Sequence, residues 1–500
     1  MHKPKLIVYW CRRDFRLTDN QALAQAVAKS NTEQLPFLPL YILDSELLNP
    51  ENDWNIGYPR RLFLSRVLSH FAYNFSNLPI AIGHSNKIFA ELSKQYDLEV
   101  FANDDVEPYS IKRDKEVANI VTKLNLFTDQ ITVNKEIVSG SGNFYSVFSP
   151  FKRAVWQQFI EAKTVDKVTN IPQTIETKTL NLEFVSYQDT EENLQKAIFE
   201  LIDQSWRVDL PNGEGFGLDQ LWTRSQYQEW NHTETKTLEY FDHYVACGKI
   251  SQYKKNRDDM GLDTVDGGQT SRMSVALKWG LVSSRTLKSK ILDHFDTDFV
   301  NPLSTRNDEG AICYLSELIW REFYKYILYH RADVLNLEFQ PKFQNSIQWV
   351  DNNTAMHRFR KWILGETGYP AVDAAMHQIA QTGWMHNRAR MMVASILTKN
   401  LGVDWRWGQA YFRAVLLDLD EAANNGGWQW ASSTGSDSKP IRIFNPHLQA
   451  NNYDAKGLYQ KKYLPDDYSA NLKPVIEHKL AREQALIRYN IAESKGVRDY

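Results

Sequence analysis

Residues 5–30, KLIVYWCRRDFRLTDNQALAQAVAKS, begin as a short apolar run and continue as a pattern with helical periodicity. The run KLIVYW is rich in β-formers, whereas NQALAQAVAKS repeats apolar residues every three or four positions. Similar segments follow: FLPLYIL (37–43), YPRRLFLSRVLSHFAYNF (58–75), LPIAIG (78–83), LEVFAND (98–104) and DQITVN (129–134). Strands that alternate with helices predict a parallel sheet in a doubly wound α/β domain. No glycine-rich phosphate turn follows the first strand, so a dinucleotide site is not expected there.

The composition is that of a globular protein rather than of a membrane or disordered one. Of the 500 residues, 43% are hydrophobic and 24% charged, and no apolar run reaches the roughly eighteen residues of a membrane span. The N-terminal apolar run is too short for a signal peptide, and the three cysteines form no metal-ligand pattern. We therefore expect a cytoplasmic protein. The net charge of −3 does not exclude nucleic acid, because binding depends on where basic residues lie.

The chain changes character near residue 135. SGSGNFYSVFSPF (139–151) is rich in glycine and serine, and KTVDKVTNIPQTIETKTLNLEF (163–184) is polar and weakly periodic. After these segments nearly every pattern is helical. We therefore divide the chain into an α/β domain at residues 1–135, a connector at 136–220 and an all-α domain at 221–500.

Two helical patterns in the last part carry polar stripes. ELIWREFYKYILYH (317–330) places Glu317, Trp320, Arg321 and Tyr324 on one helical face, which suits a planar polar ligand. Taken alone, that spacing is more typical of an amphipathic helix with a Glu–Arg pair.

TGWMHNRARMMVASIL (382–397) places Asn387, Arg390 and Met391 on one stripe and Arg388 elsewhere. Polar groups that enter an apolar segment need partners, and Asp418 and Asp420 are the candidates. A structural Arg–Asp pair and a ligand site both remain open.

Three further signals are weaker. DGGQTSRMS (266–274) offers hydroxyls, backbone N–H groups and an arginine at a helix start, which suits a phosphate or an ordinary N-cap. Basic clusters in YKKNRDD (253–259), HNRAR (386–390) and KPIRIF (439–444) suit nucleic acid or solvated charge. NNGGWQW (424–430) is too rich in glycine for an ordinary helix interior and predicts a turn that carries two indoles.

In this order, the motifs resemble those of the photolyase/cryptochrome flavoprotein family, from YWCRRDFRLTDNQAL to HKLAREQAL. TSRMS, ELIWREFY, TGYPAVDAAMHQIAQTGWMHNRARM, DEAANNGGWQWASSTGSD and RIFNP carry most of the resemblance. Within the family the chain is similar to class I photolyases that act on cyclobutane pyrimidine dimers. The resemblance implies blue-light-driven repair by electron transfer from reduced anionic FAD to a flipped-out dimer. The alternatives are a flavin photoreceptor that signals through partners and a dark flavoprotein oxidoreductase.

The resemblance also implies roles for single residues. The residues expected to bind FAD are Tyr253, Thr270, Ser271, Arg272, Met273, Ser274, Tyr314, Arg321, Asn387, Arg390, Asp418, Leu419, Asp420 and Asn424. The residues expected to bind damaged DNA are Arg257, Glu317, Trp320, Asn387, Arg388, Met391, Trp430, Arg442 and Gln449. Glu317 and Asn424 are expected to act in catalysis, and Trp428, Trp405 and Trp349 to carry electrons to the flavin. The expected partner is UV-damaged DNA, with no membrane, no obligate protein partner and a monomeric chain.

Four positions refine these expectations. The amide of Asn424 has no acidic proton, unlike the acid of plant cryptochromes, and therefore favours repair over signalling. MHNRARM lacks the paired histidines of six-four photolyases. Tyr314 replaces a tryptophan of many relatives, so FAD affinity is expected to differ. Tyr109 and Ser110 replace the Asn-Glu pair that contacts folate, so a second antenna chromophore remains open among folate, deazaflavin, flavin or none.

Overall fold

The structure is a computed structural model that describes eleven stretches of the chain. These are residues 3–48, 57–177, 182, 184–185, 207–209, 215–217, 230–264, 268–295, 308–436, 441–469 and 472–489. Most of the predicted connector beyond residue 177 and Lys439 of the KPIRIF cluster lie outside the described residues.

The α/β domain contains the parallel sheet that the alternating patterns predict. Its parallel strands are β1 (Lys5–Cys11), β2 (Phe37–Leu43), β3 (Ile80–Ile82), β4 (Asp97–Asn103) and β5 (Lys123–Phe127). The order is β5-β4-β1-β2-β3, with Ile7 of β1 opposite Phe37 of β2, and a short antiparallel strand β6 (Phe184–Val185) adds to β3. The helices of this domain are α1 (Gln21–Glu33), α2 (Ser45–Leu48), α3 (Tyr58–Ala72), α4 (Ser85–Gln95) and α5 (Pro108–Ala118). β1 and β2 are almost entirely buried, as expected for central strands covered on both faces.

The strand predicted at residues 129–134 is wrong. The fifth strand is β5, which ends at Phe127, and the apolar residues Ile131 and Val133 are buried without pairing to the sheet. The backbone N–H groups of Thr132 and Val133 donate to the carboxylate of Glu322 instead. A side chain from the helical domain therefore satisfies the backbone that a neighbouring strand would otherwise have satisfied.

Between the domains, the described residues include one helix and one small hairpin. Helix α6 (Phe148–Glu161) buries Phe151, Val155 and Trp156. Strands β7 (Arg207–Asp209) and β8 (Gly215–Gly217) pair antiparallel.

The rest of the chain is helical, as predicted. Its helices are α7 (Glu234–Ala246), α8 (Lys249–Asn256), α9 (Met273–Trp279), α10 (Ser284–Phe295), α11 (Glu309–His330), α12 (Asn352–Ile363), α13 (Pro370–Thr382), α14 (Asn387–Ser395), α15 (Trp405–Val415), α16 (Glu421–Ser432), α17 (Pro446–Tyr453), α18 (Leu458–Tyr463) and α19 (His478–Arg488). A π-helical turn (Ile396–Asn400) follows α14. No helix in the described stretches is long and apolar enough to cross a membrane.

The turn predicted at NNGGWQW is also wrong, because these residues lie inside α16. A Cβ at Gly426 would lie 2.1 Å from the ring of Tyr324, so only glycine lets α16 approach α11 this closely. A Cβ at Gly427 would meet nothing within 4 Å, so that glycine faces open space. Tertiary contact thus explains one glycine of the pair, and the cavity described below explains the other.

The two domains share one apolar core and a buried ionic network. Trp279 of α9 packs on Phe15, which follows β1, and its Nε1 donates to the carbonyl of Leu417 at 3.1 Å. The carboxylate of Asp129 accepts from both Arg16 and Arg285, all of which are buried. The bond from Trp279 holds the loop at residues 416–420 against α9, and the ionic network joins the two domains.

Candidate cofactor and substrate cavity

Helices α11, α14 and α16 and the 416–420 loop surround a cavity of about 370 Å³. Predicted site residues form most of its lining: Arg257, Glu317, Trp320, Asn387, Arg390, Met391, Asp418, Leu419, Asp420, Asn424, Trp428 and Trp430. Pockets of roughly 300–1,000 Å³ with few convergent polar groups are typical of small-molecule sites.

The arginine and the two aspartates at the cavity wall form ion pairs that are buried on one side: Asp418 and Lys325 are buried, and Arg390 and Asp420 are partly exposed. Nη2 of Arg390 donates to both carboxylate oxygens of Asp418, at 3.0 and 2.8 Å. Asp420 pairs with the buried Lys325, whose Nζ lies 2.7 Å from Oδ2. Burial opposes the ionisation of Asp420, but the positive charges of Lys325 and its neighbours outweigh this effect and hold the pKa of the carboxyl well below its usual range. The wall therefore keeps fixed charges that a polar heterocycle can bind.

The side chain of Asn424 has one hydrogen-bonding atom satisfied and one directed at no protein partner. Its Nδ2 donates to the carbonyl of Gln409 at 3.2 Å, while Oδ1 is buried and accepts no hydrogen bond from the described residues. Asn425 donates to the side chain of the same glutamine at 2.8 Å and to the carbonyl of Val334 at 2.7 Å. These neighbouring amides fix the orientation of Asn424, so that a cavity ligand with an N–H group would satisfy Oδ1.

The two indoles at the cavity mouth are held in different ways. Phe148 stacks on Trp320 with ring centroids 3.6 Å apart and planes 8° apart, so one face of this indole is covered. Trp430 contacts the edge of Phe444, and the guanidinium of Arg442 lies 5.2 Å from its ring. Both tryptophans are half-buried and line the cavity, which leaves aromatic surface for a planar ligand.

Glu317 and the basic residues near it form the outer rim. Glu317 accepts from Arg257, and Asp258 pairs with Arg388 at 2.7 Å. The guanidinium of Arg388 also lies 4.2 Å from the ring of Tyr453. The stripe predicted for residues 387–391 is therefore present: Asn387, Arg390 and Met391 line the cavity and Arg388 points elsewhere.

The predicted phosphate segment lies beside a second cavity of about 310 Å³, lined in part by Ser271, Arg272 and Met273. Asp263 organises this segment by accepting from the backbone and hydroxyl of Thr270 and from Arg272. The hydroxyl of Tyr314 shares a 2.8 Å hydrogen bond with that of Ser271. Tyr314 thus contacts the segment directly.

The other predicted residues of this region lie close by. Tyr253 packs edge-on against Tyr314, with centroids 5.1 Å apart, and Ser274 accepts from Nε1 of Trp384. Arg272, in the left-handed region with φ 53°, precedes α9 as its N-cap without a side-chain cap. The segment is therefore not an ordinary serine or threonine N-cap.

Arg321 and Gln449 do not line the main cavity. Arg321 donates to the backbone and side chain of Gln130, at 2.9 and 3.0 Å, and so joins α11 to the α/β domain. Gln449 is buried on α17, and its Oε1 accepts no hydrogen bond from the described residues. Glu317, Trp320, Arg321 and Tyr324 all lie on α11 as predicted, but only Glu317, Trp320 and Tyr324 line the cavity.

The three tryptophans expected to carry electrons differ in their burial. Trp428 and Trp405 are buried and Trp349 is half-buried. A Cβ at Gly408 would lie 2.0 Å from Trp428, so α15 meets this indole one turn after Trp405. Trp349 packs edge-on against Tyr489, with centroids 6.1 Å apart.

The sequence analysis missed several lining residues: Ala394, Phe412, Leu416, Ala423 and Gly427. Ala394 lies one turn after Arg390, and Gly427 lies three residues after Asn424. Helical spacing on α14 identifies Ala394, and helical spacing identifies Gly427 once residues 421–432 are assigned to a helix. Phe148 and Glu338, which contact predicted tryptophans, carry no such signal because they lie far away in sequence.

A third cavity lies at the carboxyl end of β1, between the domains. Trp10, Arg12, Tyr109, Ser110 and Arg113 contribute to its lining, and Leu419 belongs to both this cavity and the main one. The Arg12 guanidinium lies 3.9 Å from the Trp10 ring and pairs with Asp114. Tyr109 and Ser110, where the family resemblance implies a difference from folate-binding relatives, thus line this third cavity.

Comparisons with known proteins agree with the motifs. Residues 7–172 match the family described as DNA photolyase, and residues 314–495 match the FAD binding domain of DNA photolyase. The deoxyribodipyrimidine photo-lyase of Synechococcus sp. is 32% identical, over 97% of this chain and 96% of its own length. The enzyme of that name from Vibrio cholerae is 29% identical, over 97% and 99%.

Solved structures show the same fold. A class III photolyase from Agrobacterium tumefaciens superposes with a TM-score of 0.74 at 25% identity, covering 98% of each chain. A cryptochrome from Synechocystis sp. gives a TM-score of 0.77 at 22% identity, covering 98% of this chain and 100% of its own. The predicted combination of an α/β domain and a helical domain is therefore confirmed.

Proposed function

The chain belongs to the photolyase/cryptochrome family, and from that premise we propose that it repairs cyclobutane pyrimidine dimers in DNA under blue light with FAD. The observation that supports this proposal is the single cavity in which the polar wall of Asn387, Arg390 and Asp418 meets two half-buried indoles. One wall suits a polar ring cofactor and the mouth suits a flat apolar lesion.

The residues of the polar wall fit a flavin. The buried Oδ1 of Asn424 needs a donor, and Gly427 leaves room that a side chain would fill. Arg390, Asp418 and Asp420 would hold the polar edge of the ring, and the segment from Thr270 to Ser274 would hold the phosphates. When bound in its reduced form, FAD supplies the light-driven electron that opens the cyclobutane ring.

The residues at the mouth fit a flipped-out dimer. A dimer is poorly stacked in DNA, so its extrusion costs less than that of normal bases. Trp320 and Trp430 would stack on its apolar faces, each stack being worth about 1–3 kcal/mol. Glu317 would exchange its contact with Arg257 for hydrogen bonds to the damaged bases.

The position of Asn424 favours repair over signalling. Its Nδ2 is bonded to the carbonyl of Gln409, so the atom left for a ligand is the acceptor Oδ1. An amide oxygen accepts a hydrogen bond and has no proton to give. The chain therefore offers the flavin no acid at this place.

We extend the proposal to an antenna chromophore in the cavity beside Trp10 and Tyr109. A photolyase from Sulfolobus tokodaii that shares the fold at 21% identity, with a TM-score of 0.72 over 97% of this chain and all of its own, was crystallised with two FAD molecules. Leu419 lines both cavities of this chain, so two chromophores would lie close enough for energy transfer. More than one chromophore per chain in the purified protein, whether the second is FAD or absorbs elsewhere, supports this part, and one FAD per chain with no other chromophore contradicts it.

The proposal needs no second subunit or protein partner, because one chain lines the whole cavity.

The test uses DNA with cyclobutane dimers and DNA with six-four photoproducts, each incubated with pre-reduced protein in light and in darkness. We expect loss of cyclobutane dimers in light only and no change in six-four photoproducts. Undiminished dimers in light contradict the proposed function.

A further inference from the structure

The middle tryptophan of the proposed electron path lies against a buried carboxylate. Nε1 of Trp405 donates to Oε1 of Glu338 at 3.3 Å, and the two residues are 0% and 3% exposed. Burial of a carboxylate is costly unless hydrogen bonds or an opposite charge compensate it. A neutral indole compensates little of the cost of burying a carboxylate. The burial of Glu338 beside Trp405 therefore needs an explanation.

The charges around Trp405 do not cancel. The guanidinium of Arg406 lies 4.7 Å from the Trp405 ring and donates to Oε1 of Glu338 at 2.9 Å. It also pairs with Asp404 at 2.9 Å. Two carboxylates and one guanidinium leave one net negative charge beside the indole, which favours a positive charge on the ring.

The inner tryptophan has a different environment. Nε1 of Trp428 is buried and donates to no acceptor among the described residues. Its ring touches α15 at Gly408, one helical turn after Trp405 in the same helix. A positive charge that leaves Trp428 for Trp405 therefore moves from an indole without a hydrogen-bond acceptor in the described stretches to one that donates to a carboxylate.

We propose that Glu338 stabilises the oxidised form of Trp405 by its charge and accepts the Nε1 proton. This inference rests on the proposed function and on the electron path to FAD through Trp428, Trp405 and Trp349 that the family resemblance implies. One electron passes from Trp428 to light-excited oxidised FAD, and one electron from Trp405 refills Trp428. The Nε1 proton of Trp405 then moves to Oε1 of Glu338, which leaves a neutral indole radical and a carboxylic acid.

The step reverses when Trp405 regains an electron from Trp349 or, beyond it, from a thiol reductant in solution, and the proton returns to Nε1. Until then the positive charge cannot travel back to Trp428 without the proton. We take the Glu338 carboxylate and a positive charge on Trp405 to be about 5 Å apart at an effective dielectric constant of about 20. Their attraction then shifts the transfer of the positive charge from Trp428 toward Trp405 on the order of a hundredfold. Glu338 is thus a positioning residue that makes charge separation last.

The test follows the Trp405 radical by transient absorption after a laser flash on the FAD-loaded protein. The Trp349→Phe variant serves as the background, because there the positive charge stops at Trp405. In this background we expect a neutral indole radical. Adding Glu338→Gln keeps an acceptor oxygen but removes the charge and the base, so we expect a cationic radical that recombines roughly a hundredfold faster.

Asp404→Asn is the matched control. It removes a negative charge from the same cluster, yet asparagine keeps the N-cap that Asp404 forms on α15 through the N–H of Arg406. We expect its radical to remain neutral, which a general effect of cluster charge would not produce. Equal radical spectra and decay rates with and without Glu338→Gln would overturn the inference, provided that both variants bind FAD with equal affinity.

Failure of this inference and failure of the proposed electron path give different results. If Trp405→Phe leaves FAD photoreduction at the wild-type rate, the path through Trp405 is wrong and the inference falls with it. If Trp405→Phe abolishes photoreduction while Glu338→Gln matches the wild type in radical spectrum and decay, the inference alone is wrong.

Discussion

Trp320 presents a single ring face to the cavity, because Phe148 covers the other face at a centroid distance of 3.6 Å. Trp320→Ala should weaken binding to dimer-containing DNA by about 1–3 kcal/mol, the usual contribution of one base–aromatic stack. Competition binding in darkness measures the change. Tyr73→Ala removes an aromatic ring that is 79% exposed at the C-cap of α3 and should leave affinity unchanged. Equal affinity of wild type and Trp320→Ala would exclude stacking.

Tyr314 contributes a hydroxyl to the predicted phosphate segment. Its hydrogen bond to Ser271 orients a side chain expected to bind the FAD phosphates. Tyr314→Phe should weaken FAD binding by about 0.5–1.5 kcal/mol, the usual net contribution of such a bond. Fluorescence titration of FAD-free protein measures this change.

Tyr411→Phe is the control for that titration, since the Tyr411 hydroxyl is buried and has no hydrogen-bond partner in the described residues. This variant should bind FAD as the wild type does. If Tyr314→Phe does so too, Tyr314 has no part in the phosphate site.

At the level of elements, the two glycines of α16 have opposite surroundings. A methyl group at Gly426 would collide with Tyr324, whereas one at Gly427 would enter the cavity. Gly426→Ala should lower the free energy of unfolding by about 1–3 kcal/mol because of overpacking. Gly427→Ala should raise the free energy of unfolding of the FAD-free protein by about 0.8–1.0 kcal/mol, because alanine favours a helix more than glycine does.

The Gly427→Ala variant distinguishes an effect on stability from an effect on FAD binding. Gly427→Ala should weaken FAD binding although it stabilises the protein, because its methyl group occupies cavity space. Denaturant unfolding without FAD and FAD titration together measure both effects. Unchanged FAD affinity in Gly427→Ala would place the flavin elsewhere.

Lys399 caps the C-terminal end of α16 from the π-helical turn, donating to the carbonyl of Ala431 and to Oγ of Ser433. Burial, aided by the charge of Arg442, lowers the pKa of Lys399 from 10.5 to about 7. Between these values the unfolded chain holds a proton that the folded protein lacks, so stability rises with pH.

The free energy of unfolding should therefore rise by about 1.4 kcal/mol per pH unit from about pH 7 toward pH 10.5, relative to Lys399→Met. Denaturant unfolding of both proteins across this range measures the difference and removes the contribution of other titrating groups. Parallel curves for the two proteins would mean that Lys399 stays charged in the folded state.

The elements of the α/β domain were predictable where local pattern and tertiary environment agree. FLPLYIL coincides with β2 because a central parallel strand is apolar throughout. DQITVN failed because its apolar residues pack between domains and its backbone bonds go to Glu322. NNGGWQW failed because the fit of Gly426 against Tyr324 lies outside the local sequence.

At the scale of the whole molecule, the shared core places a basic rim around the cavity mouth. Arg388 lies on this rim and is half-buried against Tyr453. Arg388→Gln should weaken binding to damaged and undamaged DNA alike. It should also make the slope of log affinity against log salt concentration shallower by about one, as expected for one lost phosphate contact. Binding across a salt series measures both changes.

Arg331→Gln supplies the comparison for the salt series, since Arg331 pairs with Asp333 and does not line the cavity. It should match the wild type at every salt concentration. A loss confined to damaged DNA in Arg388→Gln would instead indicate contact with the lesion itself.

The candidate site was predictable from the family motifs, because each motif carries several lining residues at helical spacing. The contacts that orient these residues were not, since they join parts of the chain far apart in sequence. Phe148 on Trp320 and Glu338 on Trp405 are such contacts. They depend on how α6 meets α11 and on how the segment after α11 meets α15, which no local pattern encodes.

The most direct test of the central claim is a count of dimers after a light pulse. Pre-reduced protein in excess is mixed in darkness with an oligonucleotide that carries one cyclobutane dimer, and half of the sample receives blue light. Repair through the single cavity predicts restored pyrimidines in the illuminated half and intact dimers in the dark half. Equal dimer counts in the two halves, with the lesion demonstrably bound, would contradict it.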